Sequence, residues 1–511
     1  MQHEYGCSLF CNISSYMNKI VLFLLSMFSF SAFAQEHHFV LSIDTVGRYV
    51  DIQLTVPVKS NETLLKMPVW APGYYMILNY PRYVVDFAPS SLDGKALDWK
   101  KSGKNGWLID TKGIGDISVR YRVLAKNHSV ADSHMNSEGA FIAPNGLFMY
   151  LDGAKDQPAI IDFQMPTNWT NISTSLKHIG GNTYRSADFD QLFDSPVLLG
   201  NHMIRKFEVD GKEYEIALET IRDIDETTFV ADLEKMVKST TDGFGHIPYD
   251  KYSFLLLGPG GGGLEHAASQ ASYSGNSLKY KTHDSYLNFL CFIAHEFYHL
   301  YNVKHIRPIA LGPFDYDKEV YSPLIWVSEG FTVYYETRNL LRAGIIDSDF
   351  LLKRLSSVMS RALNTQSYKH MSLRDSSYDI WLHFLHWGEN PDAVVSYYDL
   401  GPVFGLMMDA EIRNNTDGQK SLDDLMRLLY FRYDQQLQRG FTEEEFWAAC
   451  TEINGKPMSD IRSLTEKAGE IDVNHFINPV GLTLDADFTL RRIDNPTKRQ
   501  QNLLKGMGLN L

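Results

Sequence analysis

At 511 residues the chain exceeds one ordinary domain, so two or three are expected. It is 44% hydrophobic and 22% charged, a globular composition with apolar surface enough for sizeable cores. The formal charge of −14 argues against a nucleic-acid ligand, because phosphate binding needs a surplus of Lys and Arg, and no basic cluster suited to a membrane surface occurs.

The amino terminus reads as a secretory signal peptide over residues 1–34. "MNKIVLFLLSMFSFSAFAQ" has Lys19, an apolar run from Ile20 to about Phe30, and small residues at Ala32 and Ala34. Cleavage is expected between Ala34 and Gln35. The run is shorter than the roughly 20 residues that span a bilayer, so stable membrane insertion is not expected after cleavage. Position 35 is not cysteine, which disfavours lipid attachment. The sixteen residues before Met17 do not resemble a signal peptide's start, which makes Met17 a candidate initiator. An exported protein, periplasmic or secreted, is therefore expected.

From about Phe39 to Met203 the pattern is short, alternating and β-branched. "FVLSIDTVGRYVDIQLTV", "DISVRYRVLA" and "AIIDFQMP" read as strands, divided by turn signals at Asp93-Gly94, Pro144-Asn145-Gly146 and Gly180-Gly181-Asn182. A β-sandwich-like N-terminal domain over 36–205, acting as scaffold, is expected. Beyond Ile204, "YEIALETI" and "KYSFLLLG" still read as strands, but helical patterns dominate from Asp284. The whole reads as a multidomain α+β chain. Past the leader only Cys291 and Cys450 remain, too few for a disulfide framework, and Cys291 reads as a buried free thiol. Ser421 with Asp424, and Thr442 with Glu445 inside a Phe441–Phe446 staple, mark two helix starts. The last stretch, 485–511, is polar and basic and reads as a poorly ordered tail.

The chemistry centres on "AHEFYHLYNVKHIRP". In a helix, His295 and His299 lie one turn apart on one face and aim two imidazoles at one point, as a zinc ion requires. Glu296 is rotated off that face, able to reach a water on the metal without being a ligand. This is the logic of the H-E-x-x-H metallopeptidase helix. Leu287, Leu290, Phe292, Ile293, Phe297 and Leu300 supply its apolar lining, and Asp284 or Ser285 its cap. Thirty residues after His299, "WVSEGFTVYYETRNLL" starts another helix with Glu329 near its front. A carboxylate completing a His2Glu set leaves one position for water, the catalytic arrangement. The blander reading, a first-turn acid favoured by the helix dipole, loses weight after an H-E-x-x-H.

"HEFYHLYNVKHIRP" followed by "WVSEGFTVYY" resembles the glycyl aminopeptidase family of zinc metallopeptidases, relatives of the alanyl and membrane aminopeptidases. "MPVWAPGYYM", "LFDSPVLLG", "GGGLEH" and "SYYDLGPVFGLMMDAEIR" resemble further family blocks in family order, from about Phe39 to Leu484. The resemblance implies a thermolysin-like, mainly helical catalytic domain over 206–484 and one Zn2+ per chain. It also implies removal of N-terminal residues, small ones such as Gly or Ala, from peptides with a free N-terminus. "GGGLEH" matches the block whose acid binds the substrate's α-amino group, here Glu265, with Gly262 and Gly263 admitting the peptide backbone. "YYDLG" matches a stretch whose tyrosine steadies the oxyanion, here Tyr398, with Tyr397 its neighbouring decoy.

Two departures stand out: Leu400 where related aminopeptidases carry lysine, and too short a stretch after Leu484 for the PDZ domain of many members. His305 and Arg307 read as structural. A zinc endopeptidase of the same fold, or an exported binding protein without activity, remain as alternatives.

Overall fold

A computed structural model describes residues 36–219, 225–273 and 282–509; the expected leader and its cleavage junction lie outside them. The N-terminal part is three sheets of seven, five and four strands. Its strands follow the alternation in the sequence. Along Tyr49–Pro57 every second residue (Val50, Ile52, Leu54, Val56) is buried, so one face packs and the other meets solvent. His37–Asp44 pairs antiparallel with Tyr49–Pro57 and parallel with Ala159–Gln164, which ties the two ends of this domain into one sheet.

A five-stranded sheet then joins the two halves of the molecule. Its order is Met203–Val209, Lys212–Leu218, Lys251–Leu257, Ser269–Tyr273 and, at the edge, Gly263–Glu265. The middle strands are parallel, and the edge strand runs antiparallel to its neighbour. The apolar run "YSFLLL" within Lys251–Leu257 is buried on both faces. Leu255 and Leu257 join the core of the N-terminal domain, whereas Tyr252, Phe254 and Leu256 join the helical core. Covering both faces is what a continuous apolar strand demands.

Five helices of sixteen residues or more follow among the described residues: α1 (Glu226–Phe244), α2 (His283–Tyr298), α3 (Ile325–Arg342), α4 (Ser348–Leu363) and α5 (Tyr397–Asn415). None is long and apolar enough to cross a membrane. Thr282, not Asp284 or Ser285, caps α2: its hydroxyl accepts from the Ser285 amide, and the Ser285 hydroxyl accepts from the Thr282 amide. Thr442 and Glu445 form the expected reciprocal cap. Cys291 and Cys450 are both buried and free.

Helices α3 and α5 cross at Gly330 and Gly401, where a Cβ on Gly330 would stand 2.5 Å from the Gly401 Cα. Glu329 precedes the first glycine, and Tyr398 lies a turn before the second.

The stretch from Asp485 corrects the sequence reading. Leu490–Arg492 pairs with Leu482–Leu484, and Lys498–Gly506 is a helix capped by Thr497 and Gln500. Leu503, Leu504, Met507 and Leu509 are buried. The basic composition masks an apolar stripe too short to register as periodicity.

Gly330→Ala is expected to force the crossing apart and lower stability by about 1–3 kcal/mol. Urea unfolding of the variant beside the wild type checks this, and an unchanged midpoint would contradict the close approach.

Candidate active site

The apolar face of α2, with Leu290, Cys291, Ile293, Ala294 and Phe297 fully buried, docks the helix in the core. Its other face presents His295 and, at the C-cap, His299. The His299 Nδ1 is 2.7 Å from the Asn302 carbonyl oxygen, so the proton assigned to Nδ1 is donated there and Nε2 is turned outward. The Asn302 amide in turn donates to the carbonyls of Val327 and Ser328, binding the end of α2 to the start of α3. Glu329 follows directly.

His295 is oriented in the same way by a different partner. Its Nδ1 lies 3.3 Å from Glu336 Oε2. Glu336 is held by Arg354, which donates to Oε1 from Nε at 3.3 Å and from a terminal nitrogen at 2.9 Å. Sequence reasoning missed Glu336 and Asn302. For Glu336 a signal existed: it stands seven residues after Glu329, two turns along the same helical face.

The outward atoms converge. The two Nε2 atoms are 3.0 Å apart, and Glu329 Oε2 lies 3.3 Å from that of His299 and 3.7 Å from that of His295. Tetrahedral ligands at zinc distances stand about 3.3 Å from one another, so the spacing suits one ion. Glu329 is 3% exposed and its Oε2 finds no hydrogen-bond donor among the described residues. A buried carboxylate oxygen left in that state is costly unless a cation takes it. The residues present therefore fit a divalent metal.

The electrostatics point the same way. Burial alone would lower the His295 pKa, but Glu329, Glu336 and Glu296 raise it to about 10. A field that holds a proton so firmly also favours a dication. Burial pushes the Glu296 carboxyl up to about 7 against the pull of both imidazoles. Burial, reinforced by Glu329, holds the Tyr398 phenol well above its ordinary value, so it remains a donor.

Glu265 reaches the site from the edge strand Gly263–Glu265. Gly262 enters the strand at φ 91°, in the left-handed region, and a Cβ on Gly263 would overlap the Glu296 carboxylate. Alternation along the strand turns the next residue, His266, the other way. There its Nδ1 lies 3.1 Å from Asp194 of the N-terminal domain, which also accepts from the Ala267 amide and from Lys304. Burial would raise the Asp194 pKa, but Lys304 and His266 outweigh it and hold the carboxyl below its usual range. This contact locks the turn that follows Glu265.

All eight residues singled out in the sequence (Gly262, Gly263, Glu265, His295, Glu296, His299, Glu329 and Tyr398) line one cavity of about 540 Å³. Tyr398, in the first turn of α5, has its ring 6.3 Å from that of His295, whereas Tyr397 is fully buried. The N-terminal domain adds Gly73, Tyr74 and His128 to the wall, and α4 adds Arg354, Val358 and Arg361. Gly73 and Tyr74 fall within the "MPVWAPGYYM" block, where no role was read for them; the others had no sequence signal. His305 and Arg307 do not line this cavity; the His305 Nδ1 pairs with Asp434 at 3.0 Å.

Comparison with known proteins agrees with this architecture. Residues 38–201 match the Peptidase M61 N-terminal domain, and residues 288–404 match the M61 glycyl aminopeptidase domain. The structure resembles that of an aminopeptidase N family protein from Idiomarina loihiensis, with 25% identity, a TM-score of 0.82, and coverage of 88% of this chain and 78% of that one. An M1 zinc metallopeptidase from Deinococcus radiodurans shares the fold at 13% identity and a TM-score of 0.53, over 86% of this chain and 96% of the other. A mutant of it bound to a Tyr-Ser-Ala substrate aligns at 11% identity and a TM-score of 0.52, over 86% and 94%. No curated protein sequence matches significantly. With both halves matched in order around one buried His-His-Glu set, the chain belongs to the M61 glycyl aminopeptidase family and is a metallo-aminopeptidase.

Proposed function

We propose that the protein is a zinc aminopeptidase that removes N-terminal residues, small ones such as Gly or Ala, from peptides with a free amino terminus. One observation carries the reading: the Glu265 carboxylate shares a cavity with the His295–His299–Glu329 donors and with Glu296. A fixed negative charge on one side of the reacting centre lets the enzyme count one residue back from the bond to be cut. The leader read at residues 1–34 supports an exported enzyme, and the tripeptide in the Deinococcus neighbour supports a peptide substrate.

His295, His299 and Glu329 would hold the zinc ion. When bound, zinc supplies Lewis-acid polarisation of a carbonyl and makes water acidic near neutral pH. Glu296, beside the donors but not among them, accepts the proton of the attacking water and passes it to the leaving amine. Tyr398 donates a hydrogen bond to the carbonyl oxygen as negative charge grows on it. Glu265 pairs with the substrate ammonium. Gly262 and Gly263 leave room for the peptide backbone beside Glu296.

Glu296→Gln is expected to cut turnover of an alanyl chromophore by about 10²–10⁴-fold while zinc content stays at one per chain. Substantial activity in a clean preparation would sink the proton-transfer role. Free-amine peptides should be cleaved and N-acetylated ones spared, and Glu265→Gln should erode that difference. Equal cleavage of both by the wild type would identify an endopeptidase instead. Glu336→Gln is expected to weaken zinc binding by about 10–100-fold in chelator competition, because His295 loses its orienting carboxylate. Unaltered affinity would remove Glu336 from the metal's support.

A further inference from the structure

The cleft does not end at the donor set. A second cavity of about 580 Å³ lies beyond it, and Arg361, Trp387, Tyr398 and Asp399 line both. A peptide whose amino end is held at Glu265 can run on past the donor set toward these shared residues, which stand in the walls of both cavities. The second cavity is otherwise neutral: Thr365, Ser367, Tyr368 and Val395 are typical of its wall.

The cation at this rim comes from one face of α4, where Arg354, Val358 and Arg361 recur at helical spacing and line the cleft in a row. The two arginines are in different states. Arg354 is fully engaged, with Nε and one terminal nitrogen on Glu336 and the other terminal nitrogen on Asn288. Arg361 donates from Nε to Asp399 Oδ1 at 2.7 Å and from Nη1 to Ser357 Oγ at 3.0 Å; its Nη2 makes no hydrogen bond among the described residues. Its side chain is 52% exposed.

The Arg361–Asp399 pair is also easily exchanged. The Asp399 side chain is 24% exposed, so both partners keep contact with water and the pair contributes little. Asp399 lies in the first turn of α5, where the helix dipole favours a carboxylate even without a cation beside it. An incoming carboxylate can therefore take the guanidinium in bidentate fashion without stranding a buried charge.

We propose that Arg361 binds the C-terminal carboxylate of short peptides at the rim between the two cavities, making the enzyme selective for small free-acid peptides over long or C-terminally blocked ones. The proposal rests on the aminopeptidase reading above and adds the far end of the substrate to it.

The test compares kcat and KM of the zinc-loaded wild type on a small tripeptide with a free N-terminus, offered as the free acid and as its C-terminal amide. The expected preference for the acid is about tenfold in kcat/KM, carried by KM. Arg361→Gln should bring the acid-to-amide ratio near one, and Arg361→Lys should retain part of the preference. Because both peptides meet the same enzyme, a general loss of folding or catalysis leaves the ratio unmoved. A wild-type ratio near one overturns the proposal, as does an undiminished ratio in Arg361→Gln. Should that variant fail to fold, Asp399→Asn decides: removing the competing carboxylate should raise the ratio, and a ratio at or below the wild type overturns the role of Arg361. Cleavage of both peptides with equal efficiency defeats this proposal alone. Cleavage of neither defeats the aminopeptidase reading and this one with it.

Discussion

Four glutamates, Glu265, Glu296, Glu329 and Glu336, line one cavity with His295 and His299, and three of the four are on adjoining helices with almost no exposure. Like charges confined away from water repel strongly and raise one another's pKa unless positive charge stands among them. The rest of the structure answers that constraint. The imidazoles and the metal they fit face the centre, and Arg354 closes the back of Glu336. Glu265 brings a further carboxylate to the same cavity from the edge strand. The cavity thus concentrates negative charge, which the imidazoles and Arg354 offset.

Holding these groups in place needs three elements from distant parts of the chain to meet. Helix α2 brings the histidines, α3 brings Glu329 and Glu336, and the edge strand brings Glu265. Each is locked by a contact that has no chemical role of its own. Asn302 links α2 to α3, the Gly330–Gly401 crossing sets α3 against α5, and Asp194 fastens the turn after Glu265. The N-terminal domain therefore does more than act as scaffold. It clamps the edge strand and contributes Gly73, Tyr74 and His128 to the wall. The central strand Lys251–Leu257, shared by two cores, makes both halves of the molecule one packed body.

The groups proposed to react were more legible in the sequence than their supports. His295, Glu296 and His299 announce themselves because a helix converts a spacing of four into one face. Glu329 follows because a two-histidine site needs a third donor. Glu336 could have been read by the same periodicity. Asp194 and Tyr74 fall inside the blocks "LFDSPVLLG" and "MPVWAPGYYM", but their roles, like those of Arg354 and Arg361, depend on contacts and a cavity made by several elements. The C-terminal helix was misread as a tail because burial at Leu503, Leu504 and Met507 is decided by what covers it, not by the average polarity of the segment.

By itself the sequence determined the local chemistry of this protein: a helix bearing two imidazoles and an acid, a second helix bearing another acid, and a β-rich first half. Those are properties of short windows, set by backbone periodicity. The tertiary structure alone decided which nitrogens face inward, which carboxylates share one cavity, and that Arg361 stands in the wall of both that cavity and a second one. Such features depend on distances between segments far apart in the chain, and only packing brings those segments together.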